Sequence, residues 1–205
     1  GIKFMITAAV ILFSLTASAQ SSGRQLFNEQ WQFCLKDIKE APGSDAFMQQ
    51  PWRPLTLPHD WSIELPFDKD SPTGTGGGAL RGGMGWYYKT FTLPATAKGK
   101  KVFIEFDGVY MNSEVFINGH SLGVRPSGYI GFRYDLTPFL NSGSQANLLA
   151  VKVDNSQQPN SRWYSGSGIY RNVWLQISSP LHIEQWGTFV SASAVSRISA
   201  QVNVQ

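Results

Sequence analysis

The sequence predicts an all-β protein, a jelly-roll β-sandwich. Three observations carry this reading. Short apolar–polar alternations recur at residues 31–36, 86–93, 101–106, 113–117, 128–134 and 148–154, and period-two alternation marks a half-buried strand. Turn residues punctuate them, above all Asn118-Gly119, a pair that accepts positive φ and closes a two-residue hairpin onto residues 121–124. Beyond residue 19, no apolar run holds a helical spacing over three turns. Eight or so short strands joined by turns build a sandwich.

Taken in order, residues 1–19 have the form of a signal peptide. Lys3 supplies the positive start, residues 4–15 the apolar segment, and Ala17-Ser18-Ala19 a small-residue cleavage site. The apolar run is too short to span a membrane comfortably. The expectation is a periplasmic or secreted protein with no membrane association after signal removal. Cys34, the single cysteine, lies in the first strand as a small core residue; one cysteine allows neither an intramolecular disulfide nor a Cys-based metal site. Residues 37–50 read as a loop with a short helical turn at 44–49. Residues 52–57 read as an edge strand, because Pro51, Pro54 and Pro58 lack donors.

Pro58-His59-Asp60-Trp61 reads as a fixed loop. In it, Asp60 either contacts a ligand or caps its own turn. Residues 68–85 are rich in glycine, but no strand precedes them and no helix or Lys-Ser/Thr ending follows, so a phosphate loop is excluded. A long mobile loop at a pocket rim or subunit contact is expected instead. Residues 86–93 place Tyr87, Lys89, Phe91 and Leu93 on one side. Asp135 starts a single helical turn over 135–140. The stretch 161–177 opens with Arg162-Trp163-Tyr164, passes four small residues, and alternates through Ile169, Val173, Leu175 and Ile177. Such a turn is either a packed corner or a ligand platform, since aromatic faces suit sugar C–H faces and Arg suits hydroxyls. From residue 180 the pattern changes, with strands expected at 182–190 and 199–204.

The composition is 15% charged and 13% aromatic with a net charge of +3. The one basic cluster, Lys98, Lys100 and Lys101, falls in a turn and gives no nucleic-acid-binding face. Glycosidase chemistry needs two carboxyl groups facing one bond. The local pairs Glu105–Asp107 and Asp60–Glu64 read as ordinary surface or turn acids, and His120 and His182 as exposed. No metal-ligand spacing occurs, and no cofactor is expected.

The run R-W-Y-S-G-S-G-I-Y-R-N-V-W-L at 162–175 resembles the end of the N-terminal domain of family 2 glycoside hydrolases, the β-galactosidase, β-glucuronidase and β-mannosidase group. Pro58-His59-Asp60-Trp61, Gly85-Trp86-Tyr87-Tyr88-Lys89 and Phe106-Asp107-Gly108-Val109 agree with it in order and spacing. The resemblance extends from Leu26 to the C-terminus. It implies a galactose-binding-domain-like jelly roll over 20–179 and, over 180–205, the first strands of a truncated immunoglobulin-like sandwich. It implies retaining hydrolysis by two Glu on a downstream catalytic barrel, so that this stretch alone is inactive. By resemblance, Asp60 reaches the sugar in the active-site mouth. Arg162 stands where β-glucuronidases and the large β-galactosidase carry an Asp that touches sugar or a monovalent cation. Arg162 is therefore either a donor to sugar oxygens or a cation stacked on Trp163 or Tyr164. Trp163, Tyr164 and His59 complete the substrate-binding set, His59 leaning to a structural role.

The partner implied is a β-galactoside-like glycan, with a homodimer a further expectation. An autonomous carbohydrate-binding module and a ligand-free adhesion sandwich are the competing readings. Exposed, coplanar Trp163 and Tyr164 would favour the module; Asp60 and Arg162 on one rim would favour the hydrolase.

Overall fold

The computed structural model describes residues 23–141 and 143–205, so the expected signal peptide lies outside the described residues. The strands are β1 (Gly23–Leu26), β2 (Trp31–Leu35), β3 (Arg53–Leu55), β4 (Gly83–Phe91), β5 (Lys101–Phe106), β6 (Ser113–Ile117), β7 (His120–Arg125), β8 (Phe132–Asp135), β9 (Asn147–Asn155), β10 (Val173–Ser178), β11 (Val190–Ser193) and β12 (Gln201–Val204). A four-stranded sheet runs β1-β10-β5-β8 and a six-stranded sheet β3-β2-β4-β9-β6-β7, and every strand pair is antiparallel. The all-β jelly-roll sandwich is borne out.

The alternations place the core between the sheets. Tyr87 on β4, Ile104 and Phe106 on β5, Val115 and Ile117 on β6, and Leu149, Val151 and Val153 on β9 are buried and share one cluster with Trp31, Trp61 and Ile169. Each large side chain removed from water contributes on the order of 2–3 kcal/mol. Lys89 points into this layer, where its Nζ donates to Glu29 O at 2.7 Å and sits 3.7 Å over the Phe27 ring. Burial lowers its pKa, opposed by the Glu29 carboxylate.

A second cluster covers the outer face of the six-stranded sheet. The helix α1 (Asp45–Met48) is capped by Ser44, whose side chain accepts from Phe47 N, and it drives Phe47 against Trp86, Cys34 and Ala150. Burial pushes the Cys34 thiol up, away from the reactive range. β3 is the sheet edge that its prolines require. In the β6–β7 hairpin, Asn118 and Gly119 take φ of 49° and 83°. Asp135 Oδ1 accepts from Thr137 N, starting the 3-10 turn Thr137–Phe139.

Three expectations are corrected. Residues 182–190 are not a strand: Trp186 takes a φ of 57° and Gly187 N bonds Glu184 O at 2.9 Å, a turn that breaks the extended run before β11 begins. His182 is half-buried rather than exposed, because its ring lies 5.5 Å from that of Phe103 and its Nδ1 donates to Ser179 O at 2.8 Å. The alternating stretch from Ile169 becomes strand only at Val173, since residues 166–169 leave the sheet to build the site below. β11 pairs with β12 and with neither sheet of the sandwich.

Candidate functional site

One end of the sandwich is closed by three backbone segments lying side by side. His59 N donates to Ile169 O at 2.8 Å and Trp61 N to Ser167 O at 3.0 Å. On the other flank Tyr110 and Gly168 exchange N–H···O bonds, each 2.9 Å. The small residues of the Ser165–Gly168 run permit this closeness. Gly166 and Gly168 take φ of 74° and 125°, and a Cβ on Gly168 would stand 2.3 Å from the Tyr87 hydroxyl.

Asp60 organises the rim. Its Oδ1 accepts from Ser62 N at 3.0 Å, capping the 3-10 turn Trp61–Glu64, and from Ser167 N at 2.8 Å. Its Oδ2 accepts from the Tyr164 hydroxyl. The capping arrangement is present, and it ties the 58–61 loop to the 161–168 loop. Tyr164's pKa is raised, first by burial and then by the hydrogen bond to Asp60, because ionising the phenol would set two anions face to face. Beneath the rim, Ser62 Oγ donates to Ser167 Oγ at 2.7 Å, and Asn155 Nδ2 reaches Ser167 Oγ at 2.7 Å and Gly166 O at 3.1 Å.

His59 turns inward. Its side chain is 8% exposed. Nδ1 meets the Tyr87 hydroxyl at 2.7 Å, and Nε2 faces Glu64 Oε1 at 3.2 Å and Arg53 Nη2 at 3.1 Å. Burial lowers the imidazole pKa and Glu64 partly restores it. Trp163 is 60% exposed and its Nε1 donates to the Tyr129 hydroxyl at 3.3 Å. Arg162 is exposed, and among the described residues its guanidinium has no hydrogen-bond, ion-pair or ring partner. The structure thus joins Asp60 and Tyr164, places Arg162 and Trp163 on the same loop facing solvent, and sets His59 behind them. No stacking pairs Trp163 with Tyr164 among the described residues.

The Gly-rich segment packs on this rim. Asp68 N bonds Ala79 O at 2.9 Å, Thr73 Oγ1 donates to Leu80 O at 2.9 Å, and Arg81 pairs with Asp68. Gly76 sits against the Arg162 carbonyl, where an added Cβ would approach to 3.2 Å. The acids considered above all have partners. Glu64 pairs with Arg53, Glu105 with Arg24 at 3.2 Å, and Asp107 accepts from Trp174 Nε1 at 2.9 Å. Among the described residues no cluster of three metal-ligating side chains forms. Sequence reasoning missed Asn155, Ser167, Tyr110 and Tyr129. The only local signal was a serine held between two glycines.

The family description "Glycosyl hydrolases family 2, sugar binding domain" matches residues 25–179, both sheets but for the first two residues of β1. The chain belongs to this family. As a family 2 sugar-binding domain it is similar to a β-galactosidase of Bacteroides ovatus, 58% identical over 181 residues, which cover 88% of this chain and 21% of that protein. It is 42% identical over 178 residues to a putative β-glucuronidase of Formosa agariphila, covering 87% of this chain and 17% of that one. Among solved structures, a family 2 member from Bacteroides cellulosilyticus superposes with a TM-score of 0.79 at 42% identity, covering 88% of this chain and 24% of that one. A β-glycosidase from Bacteroides vulgatus gives 0.77 at 44% identity, covering 89% and 24%. The chain spans about one fifth of the length of the curated relatives it matches.

Proposed function

We propose that this sugar-binding domain forms one wall of the sugar pocket of a secreted, β-galactosidase-like glycoside hydrolase. The retaining hydrolysis is done by two Glu on a downstream barrel. The observation that carries the reading is the Asp60–Tyr164 link, which holds two loops on one rim, while Arg162 on the second loop is unpaired among the described residues. Asp60 Oδ2 and the Arg162 donors then supply an acceptor and a fork for the hydroxyls of a β-galactoside. Residues 180–205 open a following immunoglobulin-like sandwich; they lie beyond the family match, and among the described residues β11 pairs only with β12. The test is hydrolysis of a chromogenic β-galactoside by this chain and by the longer gene product. Activity confined to the longer protein, lost on Asp60→Ala, supports the reading. Turnover by the 205-residue chain alone, or full activity of Asp60→Ala in the longer protein, sinks it.

A further inference from the structure

We propose that a second saccharide subsite lies beside the Asp60 rim, in the groove walled by Tyr110, Tyr129, Asn160, Arg162 and Trp163. It takes a further sugar unit of an extended glycan, next to the one that Asp60 and Arg162 hold. The proposal rests on the pocket-wall reading above and adds to it the class of substrate, an oligosaccharide rather than a disaccharide. The groove is open to solvent and offers about 480 Å³, within the range of small-ligand sites, roughly 300–1,000 Å³.

Two large rings are held out here at a cost. Trp163 is 60% and Tyr129 55% exposed, and apolar ring surface left in water forfeits its burial energy. Neither ring sits on a loose loop. Gly128 rests on the Tyr110 ring so closely that an added Cβ would lie 2.1 Å from it, and its carbonyl accepts from the Tyr170 hydroxyl at 2.7 Å. Tyr129 meets Tyr110 edge-on at 5.5 Å, and its hydroxyl receives the Trp163 Nε1–H at 3.3 Å. The rings brace one another, so a ligand meets them already ordered, which lowers the entropy lost on binding.

The polar groups are arranged to match. Asn160 is pinned, its Oδ1 accepting from the Tyr110 hydroxyl at 3.2 Å and its Nδ2 donating to Asn155 Oδ1 at 2.7 Å. Arg162 lines the same groove and is unpaired among the described residues. A pyranose presents a C–H face and a ring of hydroxyls, which need an aromatic platform and a multi-donor cation together. Among the described residues no carboxylate lines the groove, and Arg162 is its one charged side chain.

The test is isothermal calorimetry of β-1,4-galactotetraose against this chain, with Trp163→Ala and Tyr129→Ala as variants and Trp186→Ala, an exposed tryptophan of the C-terminal segment, as control. Thermal unfolding confirms that each variant is folded. The expected result is tetraose binding that weakens about tenfold in each groove variant and is unchanged in Trp186→Ala. No tetraose binding by this chain, or binding indifferent to both groove substitutions, overturns the subsite. Such a failure leaves the pocket-wall reading standing, because that reading is judged by the hydrolysis of a small chromogenic galactoside in Asp60→Ala.

Discussion

The hydroxyl of Tyr164 donates to the carboxylate of Asp60 across 104 positions of chain, and this contact joins the two loops of the rim. Asp60 uses one oxygen for backbone donors and the other for the phenol. A Tyr164→Phe variant keeps the ring and loses only the second. We expect it to unfold with a loss of about 1 kcal/mol, the ordinary worth of such a bond at a half-exposed site, measured by urea titration. The sign of the pH dependence follows from the raised phenol pKa. The folded state keeps its proton where the unfolded chain has lost it, so this contribution is fully present below about pH 10 and is lost as pH rises further towards the folded-state value. Alkaline difference spectra of the wild type and Tyr164→Phe should show this tyrosine ionising above the ordinary tyrosine range. An ordinary titration midpoint would remove the link from solution.

Gly168 is the tightest point behind that link. It takes a φ of 125°, and a Cβ there would meet the Tyr87 hydroxyl at 2.3 Å and His59 O at 2.8 Å. Gly168→Ala should destabilise the fold by about 2–4 kcal/mol, combining backbone strain with overpacking. Gly143→Ala has no neighbour within 4 Å but also a positive φ of 66°, so it isolates the strain alone. Equal losses in the two variants would show that the crowding at Gly168 is relieved at no cost.

Where information is local, the sequence announces the structure. Asn118-Gly119 sets the β6–β7 hairpin by itself, and the prolines around Arg53–Leu55 set an edge strand. Asp60, Arg162, Trp163 and Tyr164 stood out because their residue types are costly or reactive in turns. Ser167 and Asn155 did not, since a serine between glycines and an asparagine ending a strand look like ordinary turn residues. Their roles arise from partners 105 and 12 positions away. Tyr129 was hidden for the same reason, its brace being Trp163, 34 positions on. The strand expected at 182–190 fails in the opposite direction. Alternation is present there, but Trp186 and Gly187 turn the chain before it can pair.

His59 should make the fold sensitive to mild acid. Its pKa is lowered by burial, with Glu64 opposing and Arg53 assisting, and Asp60 also favours the cation. The unfolded chain therefore takes up a proton before the folded one does. Stability from His59 is present above the unfolded value, about 6.5, and declines as pH falls through the folded-state value. Melting temperatures recorded from about pH 8 down to 5 should drop more steeply for the wild type than for His59→Gln. Parallel curves would mean that the imidazole accepts its proton without disturbing Tyr87 or Arg53.

Arg162 separates binding from folding. Its side chain is exposed and touches no hydrogen-bond or ion-pair partner among the described residues, so Arg162→Ala should leave the unfolding free energy within about 0.5 kcal/mol of wild type. On the proposed function, the same substitution in the longer gene product removes a charged donor from the sugar pocket. A hydrogen bond from a charged group contributes about 1.5–3 kcal/mol, so kcat/KM on a chromogenic β-galactoside should fall about ten- to hundredfold. Arg162→Lys should recover only part of it, because an ammonium cannot reproduce the planar fork. If Arg162→Ala retains full activity while Asp60→Ala does not, the guanidinium takes no part in the proposed pocket and the sugar is held from the Asp60 side alone.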